Sequence, residues 1–345
     1  MSIKLGTSVF WADAPFDEIV KLIELCEELG YDYIWIPNEK FFHEMYVTAT
    51  VAALRTKLPK IGTFIADPYT YHPALTSISI ATLDDVSGGR AILGIGAGGT
   101  GFPAMGIERR KPATAIKETI QIIRGLLRGE TVTFEGEVRN IKAGKLNFKP
   151  RADIPIIVAS RGDSILRVAG EVADGAMIAT YAEPVGVRFA MSLVEKGAKQ
   201  AGRDPREVTI ISRVDACISK DRRQAIEAVK PMIGVFLWTS YPDRQFVHRV
   251  GLEVPAELEK IIAKRDYNLM AEYAHLIPDE FADKFCWAGT AEDVAQKVAA
   301  ITKLGIDHIT FNPLPPKGGD VVETIREFAK TVKPLVEEMT SNKHL

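Results

Sequence analysis

The sequence predicts an α/β protein folded as a (β/α)8 TIM barrel with insertions. Eight short segments are almost entirely apolar, and a segment with helical spacing of apolar residues follows each of them. Nearly continuous apolar strands are typical of parallel sheets, which are buried on both faces. A length of 345 residues accommodates eight such units and two insertions. A doubly wound parallel sheet is the alternative, because it has the same strand–helix rhythm.

The predicted elements follow in chain order. Strands are expected at residues 3–9, 33–36, 60–65, 91–95, 154–158, 175–179, 208–217 and 308–311. Helices are expected at residues 19–29, 43–55, 73–86, 112–128, 164–172, 184–202, from 221 onward, 290–304 and 320–339. The pattern breaks at 131–148, where polar and apolar residues alternate around Gly136 as in a hairpin, and at 236–285, an aromatic-rich region without a strand run that predicts a helical insertion. We therefore expect one barrel domain over 1–345 with these two insertions.

Composition and charge exclude several classes of protein. Lys and Arg total 43 against 45 Asp and Glu, so the net charge of −2 argues against a nucleic-acid binder. No apolar run reaches the roughly 20 residues that span a bilayer, and the first residues enter a strand at once rather than a signal peptide. The three cysteines are too scattered for a disulfide framework or a zinc site. We expect a cytoplasmic protein with no metal site and no membrane partner.

A barrel of this kind carries its active site at the C-terminal ends of the strands. The residues at those ends are small or polar and include many glycines. They are Ser8, Asn38, Glu39, Ala66, Asp67, 96–101, 160–162, Thr180, Tyr181, 213–215 and Asn312.

The glycine-rich run at 94–101 is the sharpest local signal. Gly94, Gly96 and Gly99 fit the G-x-G-x-x-G pattern of dinucleotide-binding proteins, but that pattern requires a helix to begin at once. Here the clear helix begins only at Pro112. Two interpretations stay open: a flexible loop without a ligand, or a loop whose exposed amides let a ligand approach the backbone closely.

A second loop of this type follows the fifth strand. Ser160, Arg161 and Gly162 precede a helix, and a hydroxyl, a guanidinium and free helix amides can bind an anion. The alternative is an ordinary helix cap by Asp163 or Ser164, with Arg161 in solvent. Two such loops on one barrel face favour a cofactor that carries a phosphate.

Four stretches of the sequence resemble a known family. They are 72–96, 169–176, 202–205 and 289–294. With these motifs the chain resembles, over nearly its whole length, the bacterial-luciferase-like flavin and deazaflavin oxidoreductases. The branch it resembles most is that of methylenetetrahydromethanopterin reductase and related enzymes that use coenzyme F420.

The resemblance implies a cofactor zone at the mouth of the barrel. A bulge with a non-prolyl cis peptide is expected behind the cofactor ring, at Phe64, Ile65 and Ala66. Backbone amides after strands four and five are expected to hold the phosphate, and Ser8, Asn38 and Thr180 to complete the zone. The phosphate-binding residues would be Gly96, Ala97, Gly98, Gly99, Ala159, Ser160, Arg161 and Gly162. The cofactor implied is coenzyme F420, with FMN as the alternative.

The residues that the family uses as proton donors are replaced by others at the matching positions of this chain. Where many members carry Asp-His after strand two, this chain has Asn38 and Glu39, and where the pterin reductases carry a glutamate after strand one, it has Ser8. Glu39 is the best substitute, because a carboxyl beside an apolar ring can act as a general acid. The alternative for Glu39 is a solvated carboxylate or a helix-capping charge. His72 is the second catalytic candidate, and Asp67 and Tyr181 are weaker ones.

The sequence therefore predicts an oxidoreductase that transfers hydride between coenzyme F420 and a small organic substrate. One alternative is an FMN-dependent monooxygenase on the same barrel, supplied with reduced flavin by a reductase partner. Another is a flavin-binding barrel without catalysis. A flavin or F420 reductase is a possible partner, and we expect a homodimer or higher homo-oligomer.

Overall fold

The computed structural model describes residues 2–12 and 14–341. Its strands are β1 Lys4–Ser8, β2 Tyr33–Pro37, β3 Lys60–Phe64, β4 Ala91–Ile95, β5 Val132–Glu135, β6 Asn140–Gly144, β7 Ile156–Ser160, β8 Gly175–Ala179, β9 Thr209–Ile218, β10 Cys286–Gly289 and β11 His308–Pro313. Its helices are α1 Phe16–Glu28, α2 Met45–Arg55, α3 Pro73–Ser87, α4 Pro112–Leu127, α5 Asp163–Val172, α6 Pro184–Gln200, α7 Arg222–Thr239, α8 Gln245–His248, α9 Ala256–Ile262, α10 Leu269–Glu272, α11 Asp279–Phe285, α12 Ala291–Thr302, α13 Val321–Glu327 and α14 Lys333–Ser341.

The main sheet has the order β10-β9-β11-β1-β2-β3-β4-β7-β8, and β8 also pairs with β9. The pairings are parallel, for example Trp35 of β2 opposite Gly62 of β3. Helices follow the strands along the chain, which is the (β/α)8 arrangement that the apolar runs predicted. The barrel prediction is confirmed, and the doubly wound alternative is wrong.

The chain forms two compact units. One comprises residues 8–177 and 190–210 and contains β2, β3, β4 and β7 with α1 to α5. The other comprises 2–7, 178–189 and 211–341 and contains most of β9 together with β10, β11 and α7 to α14. Most of the predicted cofactor residues belong to the first unit.

Close packing by Trp35 and by the backbone of Thr63 explains two glycines in the strands of the first unit. The Trp35 side chain is fully buried, and a Cβ on Gly62 would lie 2.2 Å from its ring. A Cβ on Gly94 would lie 2.1 Å from the Thr63 carbonyl oxygen. The Thr63 hydroxyl bonds to the backbone of Gly94 in both directions, at 2.8 and 2.9 Å. Glycine is therefore required where these strands meet.

The predicted hairpin is present as β5 and β6, which pair antiparallel. Its turn is held by the buried carboxylate of Glu118 on α4. Glu118 accepts hydrogen bonds from the backbone amides of Glu137, Val138 and Arg139 at 2.7 to 2.9 Å. A carboxylate that receives three amides fixes the turn firmly against the helix.

Three details differ from the sequence prediction. The strand β10 was not predicted, because four residues are too few to show a period. The strand β7 begins at Ile156 rather than at 154. The terminal helix is interrupted by a π-helical turn at Phe328–Val332, which ends two residues before Pro334. The region 236–285 contains the short helices α8 to α11 and no strand, as its sequence predicted.

Candidate active site

The end of β3 carries the predicted backbone feature. The peptide bond between Phe64 and Ile65 is cis and non-prolyl, which confirms the expectation for this segment. Asn38 supports it from the end of β2: its amide N–H donates to the Phe64 carbonyl at 3.1 Å, and its Nδ2 donates to the Ile65 carbonyl at 2.9 Å. The Ala66 amide then donates to Gly94 at 2.9 Å. Asn38, Phe64, Ile65 and Ala66 are thus brought together as one group.

Asp67 accepts hydrogen bonds from the loops around this group. Its fully buried carboxylate accepts from Lys40 Nζ at 2.8 Å, from the Tyr69 amide at 2.8 Å, and from both the amide and the hydroxyl of Thr70 at 2.8 and 2.7 Å. Burial acts to raise the pKa of Asp67, but the hydrogen bonds from Lys40 and Thr70 outweigh it and hold that pKa below its usual range. Asp67 is therefore a carboxylate that serves as an acceptor, which does not suit a proton donor.

Glu39 lies beside the glycine-rich loop. The Thr100 hydroxyl donates to Glu39 Oε2 at 2.8 Å, and a Cβ on Gly99 would lie 3.5 Å from Glu39 Oε1. The Glu39 side chain also borders a small cavity of about 20 Å³. The other residues around that cavity are mostly apolar: Val9, Phe10, Trp11, Ile19, Ile36, Pro37, Phe42, His43 and Thr48. The carboxyl group thus accepts from Thr100, and the residue borders a largely apolar cavity.

The glycine-rich loop packs closely at one end and is open at the other. A Cβ on Gly96 would lie 2.3 Å from Ile65 Cδ1 and 2.7 Å from the Ala159 carbonyl oxygen, so Gly96 joins the ends of β3 and β7. Beyond it, the amides of Ala97, Gly98 and Gly99 donate to no acceptor in the described part of the chain. Gly98 has φ +73°, a backbone conformation that favours glycine.

Gly98 is also enclosed on one side. A Cβ there would lie 2.4 Å from the Phe102 ring, which is itself buried. The Arg109 guanidinium donates to the Gly98 carbonyl at 3.2 Å. These contacts turn the carbonyl of Gly98 toward Arg109 and hold the loop in one conformation.

The loop after β7 forms a tight turn into α5. Gly162, rather than Asp163 or Ser164, occupies the N-cap position, and no side chain caps the helix. The Gly162 amide donates to Ser160 Oγ at 2.9 Å. The first-turn amides of a helix have no partner within the helix, and the anion site expected at this end of α5 stays a prediction. Arg161 is half-buried.

Ser8 and Thr180 are both fully buried at strand ends. Thr180 lies in the second compact unit, where its amide donates to the Arg213 carbonyl at 2.9 Å. It has φ +84°, and its buried hydroxyl has no hydrogen-bond partner in the described residues. In the same unit Arg213 pairs with Asp215, which also accepts from Asn312 Nδ2 at 2.8 Å.

His72 caps a helix and contacts the hairpin. It is the N-cap residue of α3, where Nδ1 accepts from the Ala74 amide at 3.1 Å. Its Nε2 lies 3.0 Å from the Asn140 carbonyl oxygen of β6, which is the donor geometry of the Nε2-protonated tautomer. Both ring nitrogens are engaged in holding α3 and the hairpin, so its predicted catalytic role receives no support from these contacts and stays a prediction.

Sequence reasoning missed Lys40, Thr100, Phe102 and Arg109. Lys40 and Arg109 belong to no periodic pattern, and nothing in the sequence pairs Lys40 with Asp67 across 27 residues. Thr100 lay within the glycine-rich run but was not singled out. Among residues 2–12 and 14–341, no group of three or more His, Cys, Asp and Glu side chains is arranged to hold a metal ion. No helix in that part of the chain is both long and apolar enough to cross a bilayer.

Comparison with known proteins agrees with this arrangement. The model of the luciferase-like monooxygenase family matches residues 3–308, and the chain belongs to that family. The 5,10-methylenetetrahydromethanopterin reductase of Methanolobus tindarius is 34% identical over 318 residues, which cover 90% of this chain and 96% of that protein. The reductase of that name from Methanopyrus kandleri is 30% identical over 97% of this chain and 99% of its own length.

Solved structures of F420-dependent enzymes are also similar to this chain. The coenzyme F420 dependent tetrahydromethanopterin reductase from Methanopyrus kandleri superimposes with a TM-score of 0.82 at 28% identity, covering 97% of this chain and 99% of that one. An F420-dependent secondary alcohol dehydrogenase in complex with an F420-acetone adduct has a TM-score of 0.78 over the same shares. At 21% identity, this second likeness establishes the fold alone.

Proposed function

We propose that this chain is a coenzyme F420-dependent oxidoreductase that transfers hydride between the deazaflavin and a small organic substrate, in the manner of methylenetetrahydromethanopterin reductase. The observation that carries the proposal is the row of amides at 97–99 without protein acceptors, next to the end of β3, where a Cβ on Gly96 would meet Ile65. The identity of 34% to a methylenetetrahydromethanopterin reductase over 90% of the chain supports it.

The donor set of the first compact unit fits a deazaflavin phosphate. Three consecutive amides, of Ala97, Gly98 and Gly99, lack protein acceptors, and the first turn of α5 adds further N–H donors. Successive free amides in a glycine loop form an anion-binding concavity. Arg161, next to α5, would add a positive charge. The phosphate would therefore bind mainly through backbone amides.

The remaining residues of the unit would orient the ring and exclude water from it. Ile65 and Ala66 offer an apolar backing, and Asn38 holds the Ile65 carbonyl in place at 2.9 Å. When bound, the deazaflavin supplies the hydride donor or acceptor, and the protein supplies position and electrostatics. Glu39 is held by Thr100 and would give or take the proton that accompanies the hydride.

The experiment is a comparison of cofactors under anaerobic conditions. Purified protein should bind coenzyme F420 and oxidise its reduced form with methylenetetrahydromethanopterin, the substrate in the names of its relatives. Binding of FMN with oxygen consumption would instead favour the monooxygenase alternative. Binding of a cofactor without turnover on any substrate tested would favour a barrel that does not catalyse.

The glycine loop gives a sharper prediction. Gly98→Val would force a β-branched residue into φ +73° and place its Cβ 2.4 Å from the Phe102 ring, so the loop must move. We expect affinity for the cofactor to fall at least tenfold, or about 1.4 kcal/mol, in an equilibrium binding titration. Gly106→Val is the matched control, because Gly106 has φ +68° in the same loop but nothing within 4 Å of its Cβ position. Equal loss of affinity in both variants would contradict the assignment.

We also propose a homodimer that forms through α2 and α3. These adjacent helices and the segment after α2 expose aliphatic side chains, namely Val47, Leu54, Leu58, Leu75, Ile78 and Val86. The outward face of α1, by contrast, carries Asp17, Glu18, Lys21 and Glu24. Arg55, Lys57 and Asp85 are also exposed in α2, α3 and the segment after α2, and an apolar patch with charged residues among it is found at subunit interfaces. Sedimentation equilibrium should give twice the chain mass, and a monomer at micromolar concentration would contradict the proposal.

The compartment and the reductase partner also remain proposals. All three cysteines are buried and unpaired, which suits the reducing cytoplasm. A separate F420 reductase would regenerate the reduced coenzyme, because the chain's own proposed reaction only exchanges hydride with its substrate. Cell fractionation tests the location directly, and recovery of the protein outside the cytoplasm would contradict it.

A further inference from the structure

A cleft of about 240 Å³ lies in the first compact unit, outside the predicted cofactor residues. It is bounded by the loop after β3, the loop between β4 and α4, and the turn of the β5–β6 hairpin. The lining residues are Tyr69, Glu108, Arg110, Lys111, Glu137, Val138 and Arg139. Because one water occupies about 30 Å³ of the liquid, the cleft has room for several solvent molecules or a chain of small polar groups.

The walls of this cleft are held in place by hydrogen bonds. The Tyr69 amide donates to Asp67 at 2.8 Å, and the Tyr69 hydroxyl donates to the Arg110 carbonyl at 3.1 Å. On the opposite side, Glu118 anchors the amides of 137–139. Its shape therefore exists before any ligand binds, which lowers the entropic cost of binding.

The lining of the cleft carries three basic residues and two acidic ones, of which Glu108 is exposed and adds a negative charge near the arginines. Lys111 is paired with Glu137, so these two largely neutralise each other. Arg110 forms no ion pair within the described residues. The Arg139 guanidinium lies 5.5 Å from the centre of the Tyr69 ring, and its buried Nε has no hydrogen-bond partner in the described chain. Guanidinium groups recognise carboxylates by paired hydrogen bonds.

The cleft is connected to the glycine loop through aromatic and arginine contacts. Tyr69 packs edge-on against Phe102, with ring centres 5.9 Å apart. Arg109 lies 5.5 Å from the centre of the same Phe102 ring and donates to the Gly98 carbonyl. The Phe102 ring is buried, so it links the glycine loop to the cleft from within, and Arg109 and Tyr69 are the members of this group that a ligand bound at Ala97–Gly99 can reach.

We infer that this cleft binds the carboxylates of the chain that extends beyond the phosphate of the deazaflavin coenzyme. Coenzyme F420 carries glutamyl units at that position, and each unit adds a carboxylate. Arg110 and Arg139 would pair with these groups, while Tyr69 provides a flat apolar wall. This inference rests on the proposed function, because it assigns the far end of the same cofactor.

The test compares two forms of the coenzyme in equilibrium binding titrations. One form carries several glutamyl units, and the other has been cleaved of them but keeps its phosphate. In the Arg110→Ala, Arg139→Ala double variant, we expect the Kd of the long form to rise at least tenfold and the Kd of the cleaved form to stay unchanged. For the long form, the difference in Kd between the double variant and the unaltered protein should shrink at high salt, because ionic screening weakens exposed charge pairs.

A double variant with Arg128→Ala and Arg206→Ala is the matched control. It removes the same net charge at two exposed positions outside the cleft, so the long form should bind it as it binds the unaltered protein. The inference is overturned if the cleft variant weakens both forms of the coenzyme equally, or neither. If the unaltered protein binds neither form, the proposed function fails instead, and the two failures are thereby distinguished.

Discussion

Replacing Glu39 with glutamine is expected to lower turnover by about 10²–10⁴ while leaving the fold and cofactor binding intact. Glutamine has the same size and can still accept the hydrogen bond that Thr100 donates at 2.8 Å, but it cannot give or take a proton. Asp67 cannot replace the lost carboxyl, because five hydrogen bonds from Asn38, Lys40, Tyr69 and Thr70 already occupy it.

The measurement is a pH–rate profile of the protein and the variant with reduced coenzyme F420 and substrate. The variant should lose the limb of the profile that belongs to Glu39 and keep its coenzyme Kd. Glu18→Gln, which makes the same chemical change on exposed α1, is the control and should keep full turnover. Full turnover of Glu39→Gln with an unchanged profile would place the proton donor elsewhere.

Replacing Gly197 with alanine is expected to destabilise the protein by about 3 kcal/mol, in the upper range for an overpacked site. A Cβ on Gly197 would lie 1.9 Å from the Arg167 carbonyl oxygen, so α6 and α5 must move apart. The reciprocal contact is as close, since a Cβ on Gly170 would lie 2.0 Å from the Val194 carbonyl oxygen. Both atoms are backbone, which no side-chain rotation can relieve.

The expected change in the free energy of unfolding has the opposite sign from the change that helix propensity predicts. Alanine in a helix interior is favoured over glycine by about 1 kcal/mol, so propensity alone predicts a more stable protein. Denaturant unfolding, followed by circular dichroism, measures the difference. Lys196→Ala, at the exposed neighbouring position of the same helix, is the control and should change the unfolding free energy little. Increased stability of Gly197→Ala would contradict the close packing of these helices.

The sequence was sufficient for the barrel because its strands are so uniform. All five residues of β4, Ala91–Ile95, are buried, and an apolar run of that length between helix-spaced segments is seldom anything else. The four residues of β10 carry no such signal, since Cys286–Gly289 are too few for a period to appear. Their pairing with β9 depends on long-range contacts that local patterns do not encode.

The candidate site was accessible to sequence reasoning only in part. Strand ends pointed to Asn38 and Glu39, and the glycine run pointed to 96–101, on physical grounds. The cis peptide at Phe64–Ile65 came from the family resemblance, because no composition predicts it. The buried pair of Lys40 and Asp67 could not be foreseen, because its two members lie on different loops. For His72 the sequence could not foresee the structural contacts, namely the cap of α3 and the bond to the hairpin, and its catalytic role stays a prediction.

Transfer of deuterium is the most direct test of the central claim. Reduced coenzyme F420 with both hydrogens of its hydride-donating carbon replaced by deuterium is mixed anaerobically with the protein and methylenetetrahydromethanopterin, and the product is analysed by mass spectrometry. Direct hydride transfer predicts one deuterium atom in each product molecule, with none lost to solvent. A product without deuterium, or a reaction that proceeds only with oxygen and reduced FMN, would contradict the account.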